Sequence, residues 1–333
     1  MKAVFFAGDG KVRVEEAPKP ALEAGTVIVQ VKASAICGSE LGSFKKTRDP
    51  AKKWLNTGHE LAGVIAEAPE GSPYRVGMRV GARVVQGCGE CHWCRQGYET
   101  ACAKKKFFAE NGHSEYFKLG VNGIQPIPDG VAWPAASILA GDGLGVPARC
   151  ARLLGDTKGR KIVVVGLGPI GLGCVMVQAF RGARIMGTDI SSYRRDLALK
   201  LGAEQVVDAG AADVRKAVMD WTDGLGADVV ILAVAREDAL QTSIELARHH
   251  GTLFMVAELG QVMFKLNSAL ISKELTMTGS WYFTSADWPF MLSLHNAGLK
   301  YDRLVTHVYP VDRVQEAFDT FAAGQSGKVI LTY

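Results

Sequence analysis

The sequence predicts an α/β protein made of two unlike parts: an irregular β part and a doubly wound parallel sheet. Residues 1–140 hold short strand-like runs punctuated by Gly, Pro and Asp, with little helical periodicity. From about residue 161, apolar runs of strand length alternate with helical segments, the pattern of a parallel sheet covered on both faces. The run Gly166-Leu167-Gly168-Pro169-Ile170-Gly171, set between the first of those strands and the first helix, says what kind of sheet it is.

Composition bounds the possibilities. At about 150 residues per domain, 333 residues suggest two domains. With 48% hydrophobic and 22% charged residues the chain can bury a large core, which excludes disorder. A net charge of +4 is too small to imply nucleic acid or a membrane surface. No apolar run approaches the roughly 18 residues of a membrane span. The N-terminal MKAVFFAGDG has no long apolar stretch of the export-signal kind, so a cytoplasmic protein is expected. Seven cysteines is an odd number, and four crowd into residues 88–102, which suits metal binding better than a disulfide framework.

The β part is expected to place strands at 2–6, 12–15, 26–33, 61–67 and 83–86. The α/β part begins with strand 161–165, the glycine turn and a helix to about 181. Strands at 184–188, 205–207, 228–234, 252–256 and 275–278 follow, with helices at 193–201, 212–221 and 237–249 between them. The alternation stops near Gly279, and the tail ends in a strand at 328–332. So short a tail is expected to rejoin the first part. The expected division is 1–143, 144–278 and a return segment 279–333.

In the glycine turn, Gly166 permits the tight bend, Gly168 lets backbone approach a pyrophosphate, and Gly171 allows close packing of helix on strand, with Pro169 and Ile170 opening the helix. The helix N-terminus presents free N–H groups and the positive end of its dipole to phosphates. Asp189 ends the second strand 189 − 166 = 23 residues later, where a carboxylate accepts from the ribose hydroxyls and repels a 2′-phosphate. The expected cofactor is therefore NAD. Arg194 and Arg195 follow in the next helix, as cofactor contacts or as a solvated face.

Cys88, Cys91, Cys94 and Cys102 form C-x2-C-x2-C-x7-C, an S4 shell for structural zinc or an iron–sulfur centre. Cys37, His59 and Glu60 offer a thiolate, an imidazole and a carboxylate, a donor set for a zinc that keeps one position open. By residue type alone, such a Cys and His are as readily structural.

Taken together, Cys37-Gly38-Ser39, Gly58-His59-Glu60, the four-cysteine lobe, 166–171 and Asp189 resemble, in that order and over essentially the whole chain, the zinc-dependent medium-chain dehydrogenase/reductase family, in its threonine/sorbitol (polyol) dehydrogenase branch. The resemblance implies a GroES-like irregular β-barrel catalytic domain built from both chain ends, and a Rossmann domain between them in sequence. It implies two zinc ions per chain, one catalytic on Cys37 and His59 and one structural on the four cysteines. It also implies a homodimer or homotetramer. A third ligand is expected in Ala140-Gly141-Asp142-Gly143, which makes Asp142 the candidate, with an N-cap or turn role as the alternative. Glu60 is the neighbouring carboxylate that binds zinc directly or through water. Val256, Ala257, Ser280 and Trp281 join Arg194 as candidates for cofactor contact.

The sequence departs from the family in three places. Glu40 stands where Asp is usual as partner of the zinc histidine, a role the longer Glu is expected to keep, and Gly42 stands where a histidine is frequent. Asn111-Gly112-His113-Ser114-Glu115-Tyr116 replaces a segment that often reads G-G-F-A-E-Y, a change expected to reshape the pocket. With no histidine at 42, the proton route is expected to start at Ser39.

The expected reaction moves a hydride between a secondary alcohol (polyol, sugar or amino alcohol) and NAD, with zinc as Lewis acid and Ser39 receiving the hydroxyl proton. The alternatives are a zinc-independent quinone or enoyl-type reductase, and a non-catalytic cofactor-binding protein. Phe44, Trp54, Trp281 and Tyr282 are pocket or core aromatics, and Lys45, Lys46, Arg48, Lys52 and Lys53 read as a solvated basic loop, with attraction of an anionic or phosphorylated substrate as the alternative. His249 and His250 are expected to cap a helix, and Cys150 and Cys174 to be buried.

Overall fold

The computed structural model describes residues 1–49, 54–108 and 111–333, so Lys52 and Lys53 lie outside the described residues. The chain forms two compact units: Met1–Gly145 with Thr284–Tyr333, and Val146–Phe283.

In the first unit, a long strand, Thr26–Ala35, is the hub of a sheet in the order Val305–Pro310, Lys328–Thr332, Thr26–Ala35, Glu60–Glu67, Arg79–Ala82, Ile124–Pro126. Tyr116–Gly120 also pairs with the hub. The return segment thus inserts its last strand beside the hub, antiparallel, with Ile330 opposite Ala35. Of the strand expected at 83–86 only Val85–Gln86 forms, and a separate strand, Arg79–Ala82, precedes it. The break has a cause at Arg83: its guanidinium is buried, donates to the Val85 carbonyl at 2.7 Å and pairs with Glu99 at 3.2 Å. Phe6, Ile36, Phe44, Phe318, Phe321 and Val329 form the core, with Phe44 and Phe318 ring centroids 5.2 Å apart. Phe44 is therefore core. Trp54 is partly buried on the same core, and Arg48 lies over its ring at 4.6 Å.

The second unit is a six-stranded parallel sheet in the order Gln205–Asp208, Arg184–Asp189, Lys161–Val165, Ala227–Leu232, Ala247–Met255, Thr276–Gly279. Numbered along the chain this is 3-2-1-4-5-6, the Rossmann order, whose reversal beside the first strand opens a crevice at the carboxyl edge. Ile162, Val163 and Val164 are fully buried, as a strand covered on both faces requires. Cys150 and Cys174 are buried.

The helix expected to run to residue 249 ends at Leu246, and His249 and His250 lie within Ala247–Met255. Neither histidine caps it. Lys273 Nζ does, donating to the carbonyls of Ile244, Glu245 and Ala247 at 2.9, 3.0 and 2.7 Å.

Gly171 tolerates no side chain: a Cβ there would stand 1.9 Å from the Gly166 carbonyl oxygen. Gly171→Ala should cost about 1–3 kcal/mol, the range for forced overpacking, seen as a lowered midpoint in thermal denaturation.

Candidate metal centres and cofactor site

Register builds the first centre. Thr26–Ala35 and Glu60–Glu67 are antiparallel with Ala35 opposite Glu60, so Cys37, just past one strand, and His59, just before the other, emerge at the same end. Asp142 arrives after helix Trp133–Leu139 and opens helix Asp142–Leu154. Donor atoms of Cys37, His59, Glu60 and Asp142 all lie within 4.8 Å of one another. Cys37 Sγ is 4.0 Å and His59 Nε2 3.4 Å from Asp142 Oδ2. A tetrahedral zinc with arms of about 2.0–2.3 Å has edges of about 3.3–3.8 Å, so the spacing suits one ion.

The chemistry of the donors fits as well. His59 Nδ1–H donates to the Thr57 carbonyl at 2.8 Å, which leaves the Nε2 lone pair for the metal. Asp142 Oδ1 is buried and has no hydrogen-bond partner among the described residues. Burial alone would push His59 down, but the Cys37 and Asp142 charges outweigh it and hold the ring well above its ordinary range. Zinc must displace that proton, so binding strengthens as pH rises.

The two carboxylates differ. Glu60 is fully buried; Oε1 is ion-paired with Lys328 Nζ and Oε2 accepts the Gly143 N–H at 3.1 Å. Burial works against the Lys328 charge, but Glu60, Cys37 and Asp142 hold it above its ordinary value. Burial and the Asp142 charge push Glu60 upward despite Lys328, and a cation between the two carboxylates relieves that repulsion. Sequence reasoning missed Lys328; the available signal was a lone lysine heading the apolar run Val329-Ile330-Leu331.

Glu40 corrects another expectation. It does not partner His59, whose Nδ1 is taken by Thr57. Its fully buried carboxylate accepts from the Cys37 N–H at 2.8 Å and from His113 Nε2 at 3.0 Å. Burial pushes Glu40 up, and the His113 charge and hydrogen bond more than offset that. Ser39 sits at the N-terminus of helix Glu40–Lys45, exposed, and its hydroxyl caps nothing.

The second centre is local. Cys88, Cys91, Cys94 and Cys102 place their sulfurs within 4.8 Å of one another, with Cys88 and Cys91 at 4.0 and 3.5 Å from Cys94. These match the edge of about 3.8 Å for an S4 zinc shell. Gly87 gives way to Cys94: a Cβ there would meet its sulfur at 2.2 Å. The Glu90 and Cys91 N–H groups lower the Cys88 thiol to about 6, whereas burial raises Cys94 to about 12.

The cofactor candidates gather at the carboxyl edge of the second unit's sheet. Gly166 has φ +88°, and a Cβ at Gly168 would meet nothing within 4 Å, which leaves the approach to helix Pro169–Phe180 clear. No side chain caps that helix. Asp189 accepts the Leu167 and Ser191 N–H groups at 2.7 and 2.8 Å, holding the glycine turn and the second strand's end together. Arg195 is committed to Asp208 at 2.8 Å. Arg194 is half-buried, and burial lowers it. Val256 donates to the Leu232 carbonyl at 3.0 Å and is followed by Ala257. Ser280 Oγ is buried without a partner among the described residues, and Trp281 Nε1 donates to Glu258 at 2.5 Å.

Two outcomes follow from these contacts. Lys328→Met should lower the unfolding free energy by about 3–5 kcal/mol in denaturant titrations, because Glu60 is left as an unpaired buried charge. In metal-free protein at neutral pH, iodoacetamide should label Cys88 before Cys94, and zinc should protect all four cysteines, as read by peptide mass spectrometry.

Comparison with known proteins agrees with this geometry. The chain matches the family described as zinc-binding dehydrogenase over residues 169–297 and the alcohol dehydrogenase GroES-like domain over 23–129. It is 31% identical to an L-threonine 3-dehydrogenase of Symbiobacterium thermophilum, covering 98% of this chain and 95% of that one. It is 29% identical to a sorbitol dehydrogenase of Halalkalibacterium halodurans, covering 98% and 96%. Among solved structures it resembles a "short chain alcohol dehydrogenase" of Escherichia coli CFT073 complexed with cofactor NADH, with TM-score 0.86, 25% identity and coverage of 100% and 99%. The chain belongs to the zinc-binding alcohol dehydrogenase family, and it is a zinc- and NAD-dependent oxidoreductase of alcohols.

Proposed function

We propose that Cys37, His59 and Asp142 hold the zinc at which a secondary alcohol bearing a neighbouring polar group (a polyol, sugar or amino alcohol) is oxidised. The observation that carries this reading is the Asp142 carboxylate, whose Oδ2 lies 4.0 Å from Cys37 Sγ and 3.4 Å from His59 Nε2 while its buried Oδ1 has no partner among the described residues. Glu60 stays beside the metal as a second carboxylate, because Lys328 and the Gly143 N–H already hold it. The relatives named for sorbitol and L-threonine support the substrate class, since both compounds carry such an alcohol.

When bound, zinc supplies Lewis-acid polarisation of the alcohol oxygen and NAD supplies the hydride acceptor. The chain does the rest. Oxidation takes a hydride from the carbinol carbon and a proton from its hydroxyl. Ser39, with a free and exposed hydroxyl, receives that proton and passes it to water, because Gly42 offers no relay. Asp189 accepts from the ribose hydroxyls, and the uncapped N-terminus of Pro169–Phe180 binds the pyrophosphate. Arg194, Val256, Ala257, Ser280 and Trp281 complete the cofactor contacts. In this reading Met1–Gly145 with Thr284–Tyr333 is the catalytic domain and Val146–Phe283 the NAD domain.

Seven cysteines without a disulfide suit the reducing cytoplasm. No helix among the described residues is long and apolar enough to cross a membrane. The exposed edge strand Thr276–Gly279 and the exposed Met263 and Leu266 support a homodimer or homotetramer, which light scattering would read.

The test is a panel of polyols, sugars, amino alcohols and β-hydroxy amino acids with NAD, followed by NADH absorbance. Turnover is expected within this panel and weaker with NADP. Cys37→Ala should abolish turnover and leave NAD affinity unchanged. Full turnover in a metal-verified Cys37→Ala protein overturns the ligand assignment.

A further inference from the structure

Two of the three departures from the family pattern touch each other. Glu40, one carbon longer than the usual Asp, meets His113, an imidazole where the segment often has Phe. Both side chains are fully buried. His113 Nε2 lies 3.0 and 3.2 Å from the two Glu40 oxygens, and because a carboxylate only accepts, Nε2 carries the hydrogen. Glu40 Oε2 in turn accepts the Cys37 N–H at 2.8 Å. On its far side, His113 Nδ1 meets Ser34 Oγ at 2.8 Å, and that hydroxyl meets the Tyr333 hydroxyl at 3.0 Å.

The imidazole also presses on the other ligand-bearing loop. A Cβ on Gly58, the residue before His59, would meet the His113 ring at 2.8 Å and its backbone N at 2.7 Å. Asn56 Oδ1 accepts the N–H groups of both Gly58 and His113 at 3.0 Å, and the Gly112 N–H bonds the Gly58 carbonyl at 3.1 Å. The ring is pinned edge-on against Phe318, with centroids 6.0 Å apart.

We infer that His113 is a positioning residue that braces both loops of the zinc centre, fixing Cys37 through Glu40 and His59 through its packing on Gly58. The inference rests on Cys37 and His59 being catalytic-zinc ligands. It extends the site to a pair that contacts no metal, and it gives this chain a support for Cys37 built from Glu40, His113, Ser34 and Tyr333. Partners one layer behind metal ligands are commonly worth about 10–100-fold in metal affinity.

The test uses zinc-loaded holoenzyme and follows zinc release into excess chelator with a chromophoric zinc indicator. The parent should release two zinc ions in two phases, and Cys37→Ala identifies the phase that belongs to the Cys37 centre. His113→Phe should speed that phase about 10–100-fold and leave the four-cysteine phase unchanged. His113→Gln, whose amide can still donate to Glu40, should restore most of the difference. Unchanged release in His113→Phe overturns the inference, and so does an equal acceleration of both phases, which would mark a general loss of stability. Where His113→Phe does not fold, Glu40→Gln takes its place. Its amide oxygen still accepts the Cys37 N–H while the charge facing His113 is gone. Faster release from the Cys37 centre is then expected, and unchanged release overturns the inference. A folded parent that releases only one zinc overturns the ligand assignment itself, a different failure from a two-zinc parent indifferent to His113.

Discussion

The first unit depends on one buried charge pair, Lys328 on Glu60. Taking two ions out of water costs several kcal/mol each, and their attraction offsets this only if the remaining polar atoms are also satisfied. Here the second Glu60 oxygen takes the Gly143 N–H. One carboxylate thus ties together the strand after His59, the loop carrying Asp142 and the last strand of the chain. The return segment is needed for this reason, since without Lys328–Thr332 beside the hub strand Glu60 would be an uncompensated buried charge.

The two metal centres show two ways of making a ligand shell. The four-cysteine shell is local: a tight backbone path, the glycine at 87 and N–H groups turned toward the sulfurs assemble it within fifteen residues of chain. The other candidate centre draws on residues 37, 59, 60 and 142, brought together by β-register and by what stands behind each side chain. Thr57 sets the His59 tautomer, Glu40 holds the Cys37 backbone, and the Glu60–Gly143 bond fixes the Asp142 loop. The less local a ligand set is, the more of its affinity rests on such supports.

Much of this was legible in the sequence because it is governed by local rules. The glycine turn reads directly from strand–turn–helix context, and its steric reason is plain in the 1.9 Å approach of a Gly171 Cβ to the Gly166 carbonyl. Cysteine spacing identified the S4 shell, and continuous apolar runs identified strands buried on both faces. Where local reading failed, a tertiary contact had overridden it. Residues 83–86 do not form one strand because Arg83 is drawn into a buried pair with Glu99. His249 and His250 leave the helix because Lys273 caps it at Leu246.

The sequence alone determined the fold class and named the candidates for the dinucleotide site and the metal ligands, since each rests on residue type and short-range spacing. Which groups stand behind those ligands was decided only by tertiary structure. Lys328 lies 268 residues from Glu60, and His113 lies 73 from Glu40. No periodicity links positions so far apart. The low-dielectric interior links them, because every buried charge there must find a partner.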